Sequence, residues 1–167
     1  METVNTNESF IKAYDEFSDA IFRHCFFKLS NREQAKDAMQ DIFMKTWEYV
    51  SKKGEIRNIK AFLYHVANNL IIDQYRKRKY DSSIEEMKET GFEIVSNDHK
   101  NIFNFSEVRN ILEIIEKLEP IYKDVLIFRY VDDLSPKEIA EILNESENVI
   151  SVRLNRGIKK VQEFFNK

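Results

Sequence analysis

The sequence predicts an all-α protein: two small helical domains joined by a flexible acidic linker, the C-terminal one a helix-turn-helix. Three observations support this fold class. The 167 residues include only three glycines and two prolines, and 43% are hydrophobic, which suits helices that bury a core. Apolar residues recur at steps of three and four over most of the chain, the period of an amphipathic helix. The period is lost at 81–105, which leaves predicted domains at 1–80 and 106–167.

The N-terminal domain is expected to contain three amphipathic helices, after a polar start at residues 1–7 that should be frayed. The first helix covers about residues 9–29, and its stripe of aromatic residues is typical of a core. Cys25 lies in this apolar pattern, so we expect a buried thiol. A single cysteine excludes an intramolecular disulfide and agrees with a reducing compartment.

A polar loop at 51–58 separates the second and third helices. Asn31 can cap the second helix, which should run to about Val50. The third helix covers about residues 59–78 and ends in a run of cations. Cations at this end complement the helix dipole, but the run also fits a surface that binds phosphates.

The second and third helices each have a polar face, and that of the second helix admits two interpretations. On the second helix, a solvated acidic face is the simpler one, and a docking surface for a basic partner is the alternative. That face carries Asp37, Gln40, Asp41, Met44 and Glu48. On the third helix, the side away from the core is expected to expose aromatic, amide and charged groups. These are Tyr64, His65, Asn68, Asn69, Ile72, Asp73, Arg76 and Lys77.

The C-terminal domain should begin with two amphipathic helices and end in a helix-turn-helix over residues 134–161. Ser135 and Glu138 form a capping box around Pro136, which suits the first helical position. Asn144 follows the first helix of the motif, and asparagine tolerates the left-handed backbone that a tight turn requires.

Ser146 can cap the second helix of this motif. The side of this helix away from its apolar stripe carries groups that can reach base edges and phosphates in a major groove. These are Glu147, Asn148, Ser151, Val152, Asn155, Arg156 and Lys159. A helical hairpin with a solvated face is the alternative. The short turn, the small Ala140 and the apolar Ile150 favour DNA binding.

The net charge is −3, which is unusual for a protein that binds DNA unaided. The charge is uneven, however. Residues 60–80 hold five Lys/Arg against one Asp, and residues 147–167 hold five against two Glu. Residues 81–119 between them hold ten acids against four bases. This pattern predicts split contacts to nucleic acid, with a partner supplying the remaining affinity.

Other function classes find little support in the sequence. The three histidines lack metal-ligand spacing, and no paired carboxylates or nucleophile motif occur, so neither an enzyme nor a cofactor is expected. Nothing resembles a signal peptide or a membrane span, which predicts a cytoplasmic protein. A DNA-binding regulator of another class remains the main alternative, with residues 8–80 as a sensor or dimerisation module.

Four stretches in sequence order carry a family resemblance. They are AKDAMQDIFMKTW (35–47), KAFLYHVANNLIIDQYRKRK (60–79), KLEPIYKDVLIFRYVDDLSPKEIAEIL (117–143) and VISVRLNRGIKKV (149–161). In these motifs the chain resembles a bacterial extracytoplasmic-function sigma factor, the two-domain type that directs RNA polymerase to promoters. The resemblance implies a protein that is a monomer when free and binds core RNA polymerase and promoter DNA. An anti-sigma factor, in many relatives membrane-anchored, is also implied.

The resemblance also implies roles for individual positions. It assigns Asp37, Gln40, Asp41 and Met44 to core-polymerase binding, which reverses the simpler interpretation of that face. The loop at 51–58 resembles one that captures a base flipped out of the −10 element, and the linker resembles one that threads through polymerase channels. The positions that match −10 contacts are Tyr64, Asn68, Asn69, Asp73, Arg76 and Lys77. Those that match −35 contacts are Glu147, Asn148, Ser151, Val152, Arg153, Asn155 and Arg156.

The chain departs from the family pattern at several positions. Ser151 stands where lysine is frequent, and His65 where arginine is frequent. Asn144 replaces the usual turn glycine, and Gly157 replaces a common alanine. Because the first two change groups that would face DNA, no known promoter sequence is transferred to this chain.

Overall fold

A computed structural model describes residues 3–81 and 105–167 of the chain. These residues form two compact units, one before and one after residue 94. Apart from one isolated bridge, the regular structure in the described ranges is helical, as predicted. Except for its two end residues, the predicted linker at 81–105 lies outside the described residues.

The first unit consists of three helices, α1 (Asn7–Leu29), α2 (Arg32–Lys53) and α3 (Ile59–Asp81). Helix α1 begins in a capping box, because Thr6 Oγ1 accepts from the Ser9 N–H at 3.2 Å and Ser9 Oγ accepts from the Thr6 N–H at 3.0 Å. The helix therefore starts earlier than predicted. The expectation that this segment frays is wrong for the residues from Val4 onward, since Val4 is buried.

Left-handed residues end the first two helices. Ser30 (φ 52°) donates its N–H to the Phe26 carbonyl after α1, and Asn31 Oδ1 then accepts from the Gln34 N–H at 2.9 Å, which confirms the predicted cap. Gly54 ends α2 at φ 90°, a conformation that strains any residue with a Cβ.

The core of the first unit lies where the three helices meet. Ile21, Ile42 and Leu63, one from each helix, are fully buried. Cys25 is also fully buried, as predicted. Thr46 is buried, and its hydroxyl has a hydrogen-bond partner, since Oγ1 donates to the Ile42 carbonyl at 2.8 Å.

The second unit consists of α4 (Phe105–Lys117), α5 (Pro120–Leu126), a π-helical segment (Ile127–Val131), α6 (Pro136–Leu143) and α7 (Glu147–Phe165). The π-helical segment was not predicted. Within it, the N–H of Asp132 donates to the carbonyl of Ile127 at 3.1 Å, five residues back. The segment buries Ile127 and Phe128 while exposing 64% of Tyr130.

Helices α6 and α7 form the predicted helix-turn-helix. Glu138 N–H donates to Ser135 Oγ at 3.2 Å, and Ser135 N–H donates to Glu138 Oε2 at 2.8 Å, so the capping box is confirmed. Asn144 adopts the left-handed conformation at φ 53°, and Ser146 Oγ caps α7. Helix α7 packs on α5 and α6. Its buried residues are Ile150, Leu154 and Gly157.

Candidate functional site

The acidic face of α2 is a single exposed surface. Asp37, Gln40, Asp41 and Met44 are all exposed and lie within about two turns of one another, at helical spacing. Met44 is 64% exposed, an unusual degree for a long apolar side chain. The arrangement offers an adaptable apolar contact beside two carboxylates, which suits a basic protein surface.

The cationic face of α3 contains only part of the predicted set. Asn69, Asp73, Arg76 and Lys77 are exposed. The expectation that Tyr64 and Asn68 lie on this face is wrong, since their exposed fractions are 2% and 6%.

The cause of this burial is that α3 packs against both α1 and α2, so its buried sector is wider than one apolar stripe. The Tyr64 ring lies edge-on to the His24 ring, with centroids 5.5 Å apart. A sequence signal for its burial exists: Tyr64 precedes the buried Ala67 and Ile71 by three and seven residues. The exposed face of α3 is therefore narrower than predicted and is continued by His65 and Ile72.

Tyr75 connects the cationic end of α3 to the end of α1. Its hydroxyl donates to the backbone carbonyl of Lys28 at 2.5 Å, while 43% of the residue remains exposed. This bond restrains the turn of α3 that presents Arg76 and Lys77. The bond joins residues 47 positions apart and has no local sequence signature.

The loop between α2 and α3 presents charged side chains. Glu55 and Arg57 are exposed and form an ion pair with 3.6 Å between Oε1 and Nε. Ile56 between them is buried. Asn58 is exposed and its Oδ1 caps α3 by accepting from the Ala61 N–H at 3.1 Å.

Helix α7 exposes most of the side chains predicted to contact DNA. Those that are exposed are Glu147, Asn148, Val152, Asn155 and Arg156. Ser151 and Arg153 are half-buried. Arg153 is engaged within the motif, because its Nη2 donates to Glu145 Oε1 at 2.9 Å. An ion pair across the turn holds this side chain beside the groups that face solvent.

A groove of about 250 Å³ runs between α5 and this face of α7. The lining residues are Ile121, Tyr122, Asn148, Val149, Val152, Arg153 and Arg156. Ile121 and Val152 leave 46% and 39% of their surfaces exposed. Ile121 was not predicted as part of a site, because the sequence shows only that an isoleucine follows Pro120 and its exposure depends on how α5 packs. The groove combines apolar walls with two guanidinium groups.

Residues 3–81 and 105–167 contain neither a metal-binding cluster nor a helix that could span a membrane. No cluster of three or more His, Cys, Asp or Glu side chains there has an arrangement that could hold a metal ion. None of the helices described is both long and apolar enough to cross a membrane. The first unit therefore offers the faces of α2 and α3 and the loop between them, and the second unit separately offers the face of α7 and the groove beside it.

Two family models match the chain, one in each unit. Sigma-70 region 2 matches residues 13–80, and Sigma-70, region 4 matches residues 109–161. The chain belongs to the sigma-70 family. The ECF RNA polymerase sigma factor SigW of Bacillus subtilis is 29% identical over 159 residues, which are 90% of this chain and 85% of that protein. RNA polymerase sigma factor SigV of the same organism is 28% identical over 138 residues, 83% and 80% of the two chains.

The two family models and these relatives identify the chain as an RNA polymerase sigma factor of the extracytoplasmic-function type, as the four motifs predict. Solved structures agree on the fold. The sigma factor RpoE of Bartonella quintana, solved with the anti-sigma factor NepR, superposes with a TM-score of 0.77 at 20% identity and covers 95% of this sigma factor and 98% of that chain. CnrH, solved with the cytosolic domain of CnrY, gives 0.73 at 16% identity, covering 96% and 90%.

Proposed function

We propose that this sigma factor divides promoter recognition between its two units and leaves catalysis to the polymerase. Residues 1–80 would bind core polymerase and open the −10 element, and residues 106–167 would recognise the −35 element. Residues 81–105 would join them as a linker. The observation that carries this division is that each unit presents an exposed polar face of the kind its role requires.

Core binding is assigned to the acidic face of α2. The four residues Asp37, Gln40, Asp41 and Met44 are exposed and so are accessible to a partner. Carboxylates at the rim of an interface steer a basic partner and fix its register. The methionine adds an apolar contact that adapts to the partner's shape.

Opening of the −10 element is assigned to α3 and the loop before it. Asn69, Asp73, Arg76 and Lys77 would hold the separated strand, since amides and cations can contact bases and phosphates. Unpairing a base costs a few kcal/mol, so the loop must supply a surface that stabilises the flipped base. Tyr64 and Asn68 lie beneath the exposed face and would support it from within.

Recognition of the −35 element is assigned to α7. Asn148, Asn155 and Arg156 are exposed and suit base edges, since arginine pairs with guanine and asparagine with adenine in the major groove. The half-buried Ser151 and the exposed Val152 and Glu147 complete this set. Arg153 would reach DNA only by loosening its ion pair with Glu145.

Charge supports the dependence on polymerase. With a net charge of −3, the free sigma factor lacks the cationic excess that supplies most non-specific DNA affinity. Polymerase would provide that affinity in the cytoplasm, where transcription takes place. An anti-sigma factor is a further proposed partner, because a structural neighbour, the sigma factor RpoE, was solved with the anti-sigma factor NepR.

Reconstitution tests the proposal. The purified protein would be combined with bacterial core RNA polymerase and a pool of host promoter fragments, and run-off transcripts would be sequenced. Transcripts that require the protein and share −10 and −35 sequences are expected. A protein that neither joins core nor starts transcripts, yet binds duplex DNA alone, would support the DNA-binding regulator instead.

A further inference from the structure

An antiparallel backbone pair joins the N-terminal segment to the loop between α2 and α3. The Val4 N–H donates to the Ile56 carbonyl and the Ile56 N–H donates to the Val4 carbonyl, each with 2.9 Å between nitrogen and oxygen. Both side chains are buried, with exposed fractions of 3% and 4%. The segment before α1 is thus fixed to the loop by hydrogen bonds and by burial together.

This pair determines which side chains the loop displays. Neighbouring residues of an extended segment point to opposite sides, so burial of Ile56 directs Glu55 and Arg57 outward. Both are exposed. The ends of the loop are fixed separately, since the Gly54 N–H donates to the Val50 carbonyl and Asn58 caps α3. The pair is therefore the restraint on the middle of the loop.

We propose that Val4 is a positioning residue for promoter opening, holding the loop of residues 54–58 in the form that captures the flipped −10 base. This inference rests on the function proposed for the loop. A loop that is ordered beforehand loses little conformational entropy when it takes up the base, so capture is stronger. Val4 is buried and acts through Ile56 rather than by touching DNA.

Core binding should not depend on this pair. The residues assigned to core polymerase end at Met44, about two helical turns before the end of α2. The −35 surface belongs to the other unit. A change at Val4 should therefore affect opening and −10 preference while the assembly of holoenzyme continues.

The test uses Val4→Pro, which removes the N–H that donates to Ile56, with Thr3→Pro as the matched control that leaves both bonds in place. Each full-length variant is assembled with core polymerase and offered a promoter library with a randomised −10 region. Open complexes are quantified by permanganate reactivity and their DNA is sequenced. Hydrogen exchange of the Ile56 amide, which donates to the Val4 carbonyl, reports whether the second bond of the pair persists.

We expect Val4→Pro to bind core within twofold of the unchanged protein and to lose protection at the Ile56 amide. Open complexes should fall at least tenfold, with the base preference flattened at one −10 position. Thr3→Pro should match the unchanged protein throughout. If Val4→Pro does not fold, Val4→Ala keeps both bonds but empties part of the buried site, and it should lower open complexes two- to fivefold.

Unchanged open complexes and −10 preference, in a Val4→Pro variant whose Ile56 amide has lost protection, would overturn the positioning role. An equal loss of core binding and opening would also overturn it, because the pair would then only stabilise the fold. A failure of the loop function itself is distinguishable. In that case the unchanged holoenzyme would start transcripts without a base preference in the −10 region.

Discussion

The guanidinium of Arg153 and the carboxylate of Glu145 form an ion pair at 2.9 Å that joins α7 to the turn before it. We expect Glu145→Gln to strengthen binding of −35 DNA, because it releases Arg153 and removes a negative charge beside the surface of α7 that is proposed to contact DNA. Exposed ion pairs contribute about 0.2–1 kcal/mol, so the stability cost should be small. Fluorescence anisotropy of holoenzyme on −35 duplexes measures the effect. Weaker binding by Glu145→Gln would mean that the pair is needed to shape the motif.

Arg156 is an exposed cation of α7 and lines the groove together with Val152. Arg156→Ala should weaken binding of the cognate −35 element by about 1–3 kcal/mol and relax the preference at one base pair. Lys159→Ala is the matched control, and it should lower binding evenly across sequences by removing a phosphate contact. Competition among −35 variants separates the two results. An even loss from Arg156→Ala would reduce Arg156 to a phosphate contact.

The acidic face of α2 predicts a charge-reversal phenotype. Asp37→Lys with Asp41→Lys should abolish co-elution with core polymerase, because like charges would then face a basic partner. Asp15→Lys with Asp19→Lys on α1 makes the same charge change at exposed positions and should leave assembly intact. Analytical gel filtration and circular dichroism provide the readouts. Equal loss from both pairs would indicate net charge rather than this face.

Gly157 allows α7 to approach α5 closely. A Cβ at this position would meet Leu126 Cδ1 at 3.1 Å and Cγ at 3.2 Å. Overpacking costs about 1–3 kcal/mol, while alanine recovers about 1 kcal/mol of helix propensity. Gly157→Ala should therefore destabilise the second unit slightly. The double variant with Leu126→Ala should lose less free energy of unfolding than the sum of the losses from the two single variants, because removing the Leu126 side chain relieves the close contact.

Unfolding of the Gly157→Ala variant can be followed in each unit separately, with Trp47 as the control. It is the single tryptophan and lies in the first unit, so its fluorescence reports the unfolding of that unit, while far-UV circular dichroism reports both. Gly157→Ala should lower the midpoint of the unfolding transition seen by circular dichroism and leave the midpoint seen by fluorescence unchanged. A fluorescence shift of equal size would show that the two units unfold together.

Tyr75→Phe tests the bond between α3 and α1. Removing the hydroxyl leaves the Lys28 carbonyl without this donor, and we expect a loss of about 0.5–1.5 kcal/mol in the stability of the first unit. Urea unfolding followed by Trp47 fluorescence measures it. Tyr14→Phe, a change at another exposed tyrosine of the same unit, is the control. If the two variants unfold alike, the Tyr75 bond adds nothing to stability.

The sequence predicted what local chemistry determines. The caps at Asn31, Ser135 and Ser146 depend on a few adjacent residues, and all three occur as expected. The cap at Thr6 was missed because serine occupies the third helical position, where the usual pattern has a longer acceptor.

What the sequence did not predict depends on distant contacts. The pairing of Val4 with Ile56 has no local signature, since each residue lies in a short polar stretch. Tyr64 and Asn68 are buried because α3 contacts two helices. A single apolar stripe in the sequence predicts contact on one side of a helix only. The residues assigned on α2 are exposed, and so are those on α7 except the half-buried Ser151 and Arg153. Their roles in binding remain predictions.

The π-helical segment between α5 and α6 makes the second unit sensitive to residue count. Each residue of a helix turns the chain by about 100°, so the extra residue in this turn changes by about that angle the direction in which the chain leaves the segment toward the loop before α6. Deleting one residue from 127–131 would restore ordinary α-helical phase in this segment. The chain would then enter α6 in another direction, and α7 would lose its packing against α5. Insertions and deletions here, more than substitutions, would therefore change where α7 presents Arg156, a residue proposed to contact the −35 element.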